Sequence, residues 1–386
     1  MIACCRQKTS WPVSLALVAA ILWSPLVQSA DDALRESAER ILAEEGLTGI
    51  AWALVEGADE VRIGTAGLRD SRAGEVFTTA TRFHVGSVTK SLLATGVLRL
   101  ATEGRIDLDA PARLYLPGLP FDNPWAGRSE VSVRHLLDHT SGLADAHLWH
   151  IFSERADSDA PLTEAFPDPP LQLQIRSRPG TRFSYSNMGY TLLGLVIESV
   201  VGEPYENYLD EFMLGPLGMH DSTFAFTTQE GAEADPTLAW GHVDGGEPFA
   251  ARPMFLRPAG QFTTTAADLA RFAEFLMGDG TIDGQVFIDE TLMRTRGRPI
   301  GTEAANAGLD AGYALGLGRR DRHGVVGYCH GGNVVGFVAM LCVFPGEHKA
   351  FAYSINTDSE TADYGRFESL FIRALAIGEA APPPTV

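Results

Sequence analysis

The sequence predicts an α+β fold, an antiparallel sheet flanked by helices with a mostly helical segment inserted. Three observations carry this. Strand-like runs at residues 313–317, 324–329, 334–344 and 350–355 follow one another through short connections, as in an antiparallel sheet. Two more runs, at 49–55 and 61–66 around the turn-forming Glu56-Gly57-Ala58-Asp59, must join that sheet from the other end of the chain. From about 105 to 257 the pattern changes to short helices and long loops rich in Pro and Gly. The sheet domain is therefore discontinuous, residues 31–104 and 258–378, around an insert of residues 105–257.

The first thirty residues read as a secretory signal. Arg6 and Lys8 form a basic n-region, residues 11–27 an apolar stretch broken by Pro12 and Pro25, and Gln28-Ser29-Ala30 a small-residue cleavage site. The stretch is too short and interrupted to span a membrane comfortably; the alternative is an uncleaved anchor. We expect a periplasmic or secreted protein, with no membrane association beyond the signal. Cys4 and Cys5 leave with it. Helical periodicity then covers residues 32–45, 87–102 (closed by Gly104) and 362–377, and Thr265 with Asp268 caps a further helix. Residues 379–386, with Pro382-Pro383-Pro384, are expected to form a flexible tail.

The chain carries 30 basic and 49 acidic residues, net −19. Loss of residues 1–30 takes this to about −21, which argues against nucleic acid or an anionic membrane surface as partner. Cys329 and Cys342 then remain. With a turn near Val335-Gly336 they sit opposite each other, either as a disulfide in an oxidising compartment or as two buried thiols.

Lysine usage points to chemistry. Of the 30 basic residues only Lys8, Lys90 and Lys349 are lysines, so a merely solvated position would carry arginine. Lysine can lose its proton when desolvated, and arginine cannot. In Ser87-Val88-Thr89-Lys90 the lysine lies one helical turn from a serine, which suits an activated nucleophile. A chain with three lysines shows Ser-x-x-Lys by chance about one time in five. The motif therefore needs companions.

Two are present. Tyr185-Ser186-Asn187, expected in an irregular stretch, offers a phenol proton shuttle and an amide for hydrogen bonding. His330-Gly331-Gly332-Asn333, expected at the end of a strand, lets a ligand backbone approach and offers an N–H to an oxyanion. Read singly, the first is an ordinary loop and the second a glycine-rich turn. Together, in this order, they resemble the serine hydrolases of the class C β-lactamase, D-alanyl-D-alanine peptidase and family VIII esterase superfamily. The resemblance spans roughly residues 35–375 and includes His135-Leu136-Leu137-Asp138-His139-Thr140-Ser141-Gly142-Leu143 and Pro179-Gly180-Thr181.

That resemblance implies a β-lactamase/transpeptidase-like fold and a covalent acyl-enzyme with no metal or cofactor. Ser87 would be the nucleophile and Lys90 its neutral base. Tyr185 would serve as partner base and leaving-group acid, and Asn187 would bind the substrate carbonyl or hold Lys90. Backbone N–H groups of Ser87 and Asn333, beside Gly332, would form the oxyanion hole. His330 takes the place of the third-motif lysine of true class C β-lactamases, so a partly charged histidine would bind an anionic substrate weakly or with pH dependence. The implied substrate is a small ester, peptide or β-lactam. A non-catalytic muropeptide- or protein-binding homologue is the alternative, and it has no need to keep Ser87, Lys90 and Tyr185 together. The pairs His135/His139 and His147/His150 lack the glutamate of a zinc hydrolase signature, and Ser141 lacks a Gly-x-Ser-x-Gly elbow.

Overall fold

Alternation along the strand Gly49–Glu56 serves two layers at once. Ala51, Ala53 and Val55 belong to one buried cluster and Ile50, Trp52 and Leu54 to another, so both sheet faces are covered. The computed structural model describes residues 25–57, 60–321 and 324–378. The basic n-region, the apolar stretch up to residue 24, Ala58-Asp59 and the tail 379–386 lie outside the described residues.

Eight strands form one antiparallel sheet, in the spatial order Tyr313–Ala314, Leu317–Arg320, Gly327–Val334, Phe337–Phe344, Lys349–Ile355, Gly49–Glu56, Val61–Asp70 and Glu75–Val76. The two ends of the chain meet at its centre, where Ile50 pairs with Ile355 and Glu56 with Lys349. The helices Pro25–Glu45 and Gly365–Ala374 cover the Trp52 face with Leu34, Ile41, Phe367 and Phe371. The opposite face presents Ala51, Ala53, Ala350 and Ala352, small residues that seat Leu269, Phe272 and Ala273 of the helix Ala266–Met277. Thr265 caps that helix by accepting from the Asp268 N–H at 3.2 Å.

The helix Thr89–Thr102 has no solvent face over its first turns: every residue from 89 to 98 is buried. A helix apolar all round belongs inside. It lies among Asn187–Val201 of the inserted segment and the Arg257–Gly260 turn, and one hydrophobic cluster runs from the sheet through Leu92 and Val97 to Leu136, Leu193 and Leu209.

Two details differ from the sequence reading. The third motif lies inside the strand Gly327–Val334 rather than at its end, with His330 opposite Leu341 and Gly332 opposite Ala339. The turn falls at Val335-Gly336, as expected, and Gly336 takes the left-handed conformation (φ 82°). The run at 313–317 is split by a turn at Leu315 (φ 48°) and Gly316 (φ 92°). The buried Asp138 carboxylate accepts from the Leu315 N–H at 2.8 Å, and the Gly316 carbonyl accepts from Ser91 Oγ at 2.6 Å, so the turn is fixed from outside. Cys329 and Cys342 face each other and are disulfide-bonded.

Gly332 brings this strand against the turn that carries Ser87. A Cβ at Gly332 would lie 1.9 Å from the Val85 carbonyl oxygen, whereas one at Gly331 would meet first the flexible end of Met340 at 3.3 Å. Gly332→Ala should therefore cost about 1–3 kcal/mol and lower the melting temperature by several degrees, with Gly331→Ala close to wild type. Equal melting of the two variants would contradict the close approach.

Candidate active site

Ser87 sits in a single 3₁₀ turn, Gly86–Val88, that runs directly into Thr89–Thr102. Gly86 is left-handed (φ 50°), and a Cβ there would fall 2.7 Å from the Asn333 carbonyl carbon and oxygen and 2.8 Å from its nitrogen. Only glycine lets the turn and strand touch. Thr89 Oγ1 locks the turn by donating to the Gly86 carbonyl at 2.6 Å and accepting from the Phe262 N–H at 3.1 Å.

Lys90, three residues on, turns back toward Ser87. Its Nζ donates to Ser87 Oγ at 3.0 Å and to the Ala259 carbonyl at 2.7 Å, and it lies 5.0 Å from the centre of the Tyr185 ring. The side chain is fully buried. Burial pushes the ammonium down to about 7, against a weaker opposing pull from Asp145. Near neutral pH a large fraction of this amine is uncharged.

Burial pushes the Tyr185 phenol well above the usual tyrosine range, against a weaker opposing pull from the Ser87 hydroxyl. It is therefore protonated at neutral pH, an acid rather than a resting phenolate base. Its ring packs on His139, centroids 4.2 Å apart. His139 in turn accepts the Ser186 N–H on Nδ1 at 3.1 Å, and burial, with the Lys90 charge second, holds the imidazole well below the usual histidine range. The stretch is not irregular throughout: Ser186 caps the helix Asn187–Val201, its Oγ accepting from the Gly189 N–H at 3.1 Å. Asn187 donates its backbone N–H and its side-chain amide to Asp145, at 2.6 and 3.3 Å. The carbonyl of Ala259, rather than Asn187, is what anchors Lys90.

His330 joins the same cluster, edge-on to Tyr313 at 5.5 Å and 6.4 Å from Tyr185 between centroids. Its Nδ1 donates to the Gly331 carbonyl at 2.6 Å. Burial first, then the Lys90 charge, push the ring down to about 3. The expected partial charge is thus corrected: the histidine is neutral at neutral pH because it is enclosed with a cation for a neighbour. Gly332 brings the strand to Ser87, its Cβ position 3.1 Å from the Ser87 nitrogen, while the exposed Asn333 donates its amide to Asp358 Oδ1 at 2.9 Å.

Several participants were not singled out as site residues from sequence. The Ala259 carbonyl is main chain and leaves no residue signature. His139 was visible within the segment His135–Leu143 of the resemblance and was weighed there only for packing and as a disfavoured metal ligand. His135 Nδ1 instead accepts the Ser132 N–H in a capping box, and His150 contacts His147 and the Ala165 carbonyl. Tyr190 and Tyr313, 3.2 Å apart through their hydroxyls, complete the aromatic wall. Ser141 Oγ accepts from the Leu143 N–H within a buried turn.

Comparison with known proteins identifies the family. The family described as Beta-lactamase matches residues 34–371. Penicillin-binding protein 4 of Amycolatopsis lactamdurans is 27% identical over 326 residues, 81% of each chain. A D-stereospecific amidohydrolase from Streptomyces sp. superposes with a TM-score of 0.68 at 25% identity, over 91% of this chain and 99% of that one. The β-lactamase/D-alanine carboxypeptidase from Pseudomonas syringae shares the fold, with a TM-score of 0.73 at 18% identity over 91% and 100% of the two chains. The chain belongs to the Beta-lactamase family and is a serine hydrolase of the β-lactamase and penicillin-binding superfamily.

Proposed function

We propose that the protein hydrolyses small esters and amides through an acyl-serine on Ser87, with neutral Lys90 as the base. The observation that carries this is a fully buried lysine 3.0 Å from the serine oxygen. Ser87 Oγ attacks the carbonyl carbon as its proton passes to Lys90 Nζ, and negative charge gathers on the carbonyl oxygen beside the Ser87 and Asn333 backbone N–H groups. The bond to the leaving group then breaks. Tyr185 hands that group a proton and is reprotonated from Lys90. Water attacks the acyl-serine, giving one proton to Lys90, which returns it to Ser87 Oγ as that oxygen leaves, and the acid is released.

Neutral His330 offers no fixed positive charge to a substrate carboxylate, which favours uncharged esters and amides over β-lactams and C-terminal D-alanyl peptides. The amidohydrolase relative supports the amide side of this reading. Export is part of the proposal, supported by the N-terminal pattern and by the Cys329–Cys342 disulfide, a bond of oxidising compartments.

Ser87→Ala should abolish both turnover of a short-chain p-nitrophenyl ester and labelling by a fluorophosphonate probe. Continued labelling of that variant would sink the assignment. In wild type, kcat/KM for that ester should exceed the values for nitrocefin and a D-alanyl-D-alanine peptide by at least about 100-fold, a difference of roughly 2.7 kcal/mol in transition-state binding.

The lysine also gives a pH signature. kcat/KM for a neutral ester should rise with pH through an inflection near 7, where Lys90 loses its proton. The unfolded chain, with a free-lysine value of about 10.4, holds a proton between these limits that the folded chain does not, so this group adds stability as pH rises from 7. Below 7 the cost of the buried ammonium is fully present. Lys90→Met should therefore melt several degrees above wild type at pH 6, with the gap shrinking by pH 9. A constant gap across that range would mean the amine is not desolvated.

A further inference from the structure

Two cavities border segments that carry the site. One is lined by Thr181, Phe183, Pro299 and Tyr313, on the side of Tyr185 and His139. The other, about 230 Å³, is lined in part by Gly260, which follows Ala259 and whose Cβ position lies 3.9 Å from the Gly86 carbonyl carbon, and by Val334, which follows Asn333. Its walls are apolar, with Phe152, Phe226, Phe249 and Met254 among them, while Glu154 and Arg252 stand exposed at its rim.

Two polar residues of this second cavity stand out. Gln261 is 4% exposed and His84 5%. Both amide atoms of Gln261 and Nε2 of His84 are buried without a hydrogen-bond partner among the described residues. Burial pushes the His84 ring down to about 4, with Arg82 adding to the effect, so neither residue brings charge at neutral pH. Buried polar atoms of this kind are costly unless something pairs with them. An uncharged ligand group would.

We propose that this cavity is the acyl subsite, and that Gln261 selects an uncharged acyl group bearing a carboxamide beside an apolar side chain of about phenyl size. The inference rests on Ser87 as nucleophile and Tyr185 as leaving-group acid. With the leaving group facing Tyr185, the acyl chain extends toward the opposite flank, past Gly260 and Val334. A glutamine side chain offers one donor and one acceptor in a plane, and the matching partner is another amide, with its N–H and C=O. A site built to hydrogen-bond such a group discriminates strongly against an analogue that lacks it.

The test compares p-nitrophenyl acetate, 3-phenylpropionate and both enantiomers of N-acetylphenylalaninate, each corrected for its rate with hydroxide. Wild type should favour the better N-acetylphenylalanine ester over the phenylpropionate by at least about tenfold in kcat/KM. Gln261→Leu should bring that ratio to within about twofold of unity. Gly260→Val should lower both phenyl-bearing esters about tenfold relative to acetate, because a Cβ at this position meets nothing closer than Met254 Sδ at 3.8 Å and its methyls enter the cavity. If acetate is turned over but the wild-type ratio is near unity, or Gln261→Leu leaves it unchanged, the subsite assignment is overturned. If acetate is not hydrolysed and Ser87 resists the fluorophosphonate probe, the acyl-serine reading falls first. Should Gln261→Leu fail to fold, the wild-type ratio and Gly260→Val decide the question alone.

Discussion

The desolvation of one ammonium group is the constraint on which this structure depends. Lys90 can act as a base only if its surroundings disfavour charge, so the helix that carries it must be enclosed on every side. Thr89–Thr102 meets that demand, sealed by the sheet, the inserted helices and the aromatic rings of Tyr185 and Tyr190. The groups that bond the amine are neutral oxygens, Ser87 Oγ and the Ala259 carbonyl. A carboxylate in direct contact would restore the high value of a free lysine; Asp145 acts only weakly and is itself bonded to Asn187. Holding such a group inside costs several kcal/mol, and the continuous apolar core around it offsets that cost.

A second constraint follows from the first. In the proposed reaction the nucleophile, Ser87, must stand at the start of this enclosed helix and yet face a substrate, and it lies where the buried helix meets the strand Gly327–Val334. Two glycines make the junction: Gly86 in the left-handed region on the turn, and Gly332 on the strand with its Cβ position inside the Val85 oxygen. The hairpin that holds Gly332 is fixed by its register and closed by the disulfide one residue before His330. Backbone amides of strand and turn are thereby brought side by side without any side chain between them.

These constraints left uneven traces in the sequence. The sheet was legible because strand periodicity and short connections are local properties, and the lysine stood out because the chain otherwise uses arginine. Cys329 and Cys342 could be placed opposite each other once the turn was set at Val335-Gly336, but their oxidation state follows only from the geometry. What stayed hidden was tertiary. The Ala259 carbonyl that fixes Lys90, and the Asp145 carboxylate that takes both nitrogens of Asn187, come from segments remote in the chain. The glycines of His330-Gly331-Gly332-Asn333 read equally well as a turn or as a strand, because close approach depends on a partner that the local sequence does not name. His139 was read through its i, i+4 spacing from His135, a helical relation that the chain does not keep, since the helix Val133–Leu137 ends first.

The state of His330 follows from the same electrostatics. Lys90, His139 and His330 share one enclosure, and a charge on Lys90 lowers both imidazoles further. The site therefore tolerates one cation at a time, and the lysine is the group that takes it because its intrinsic basicity is greatest. In the proposed reaction neither histidine then competes for the serine proton, even at the moment when Lys90 carries it. A lysine in place of His330 would add a second positive charge to this enclosure, giving up proton exclusivity at Lys90 in return for an anchor for substrate carboxylates. Histidine keeps the pocket neutral, and under the proposed function recognition of the substrate then falls to shape and to uncharged hydrogen-bonding groups.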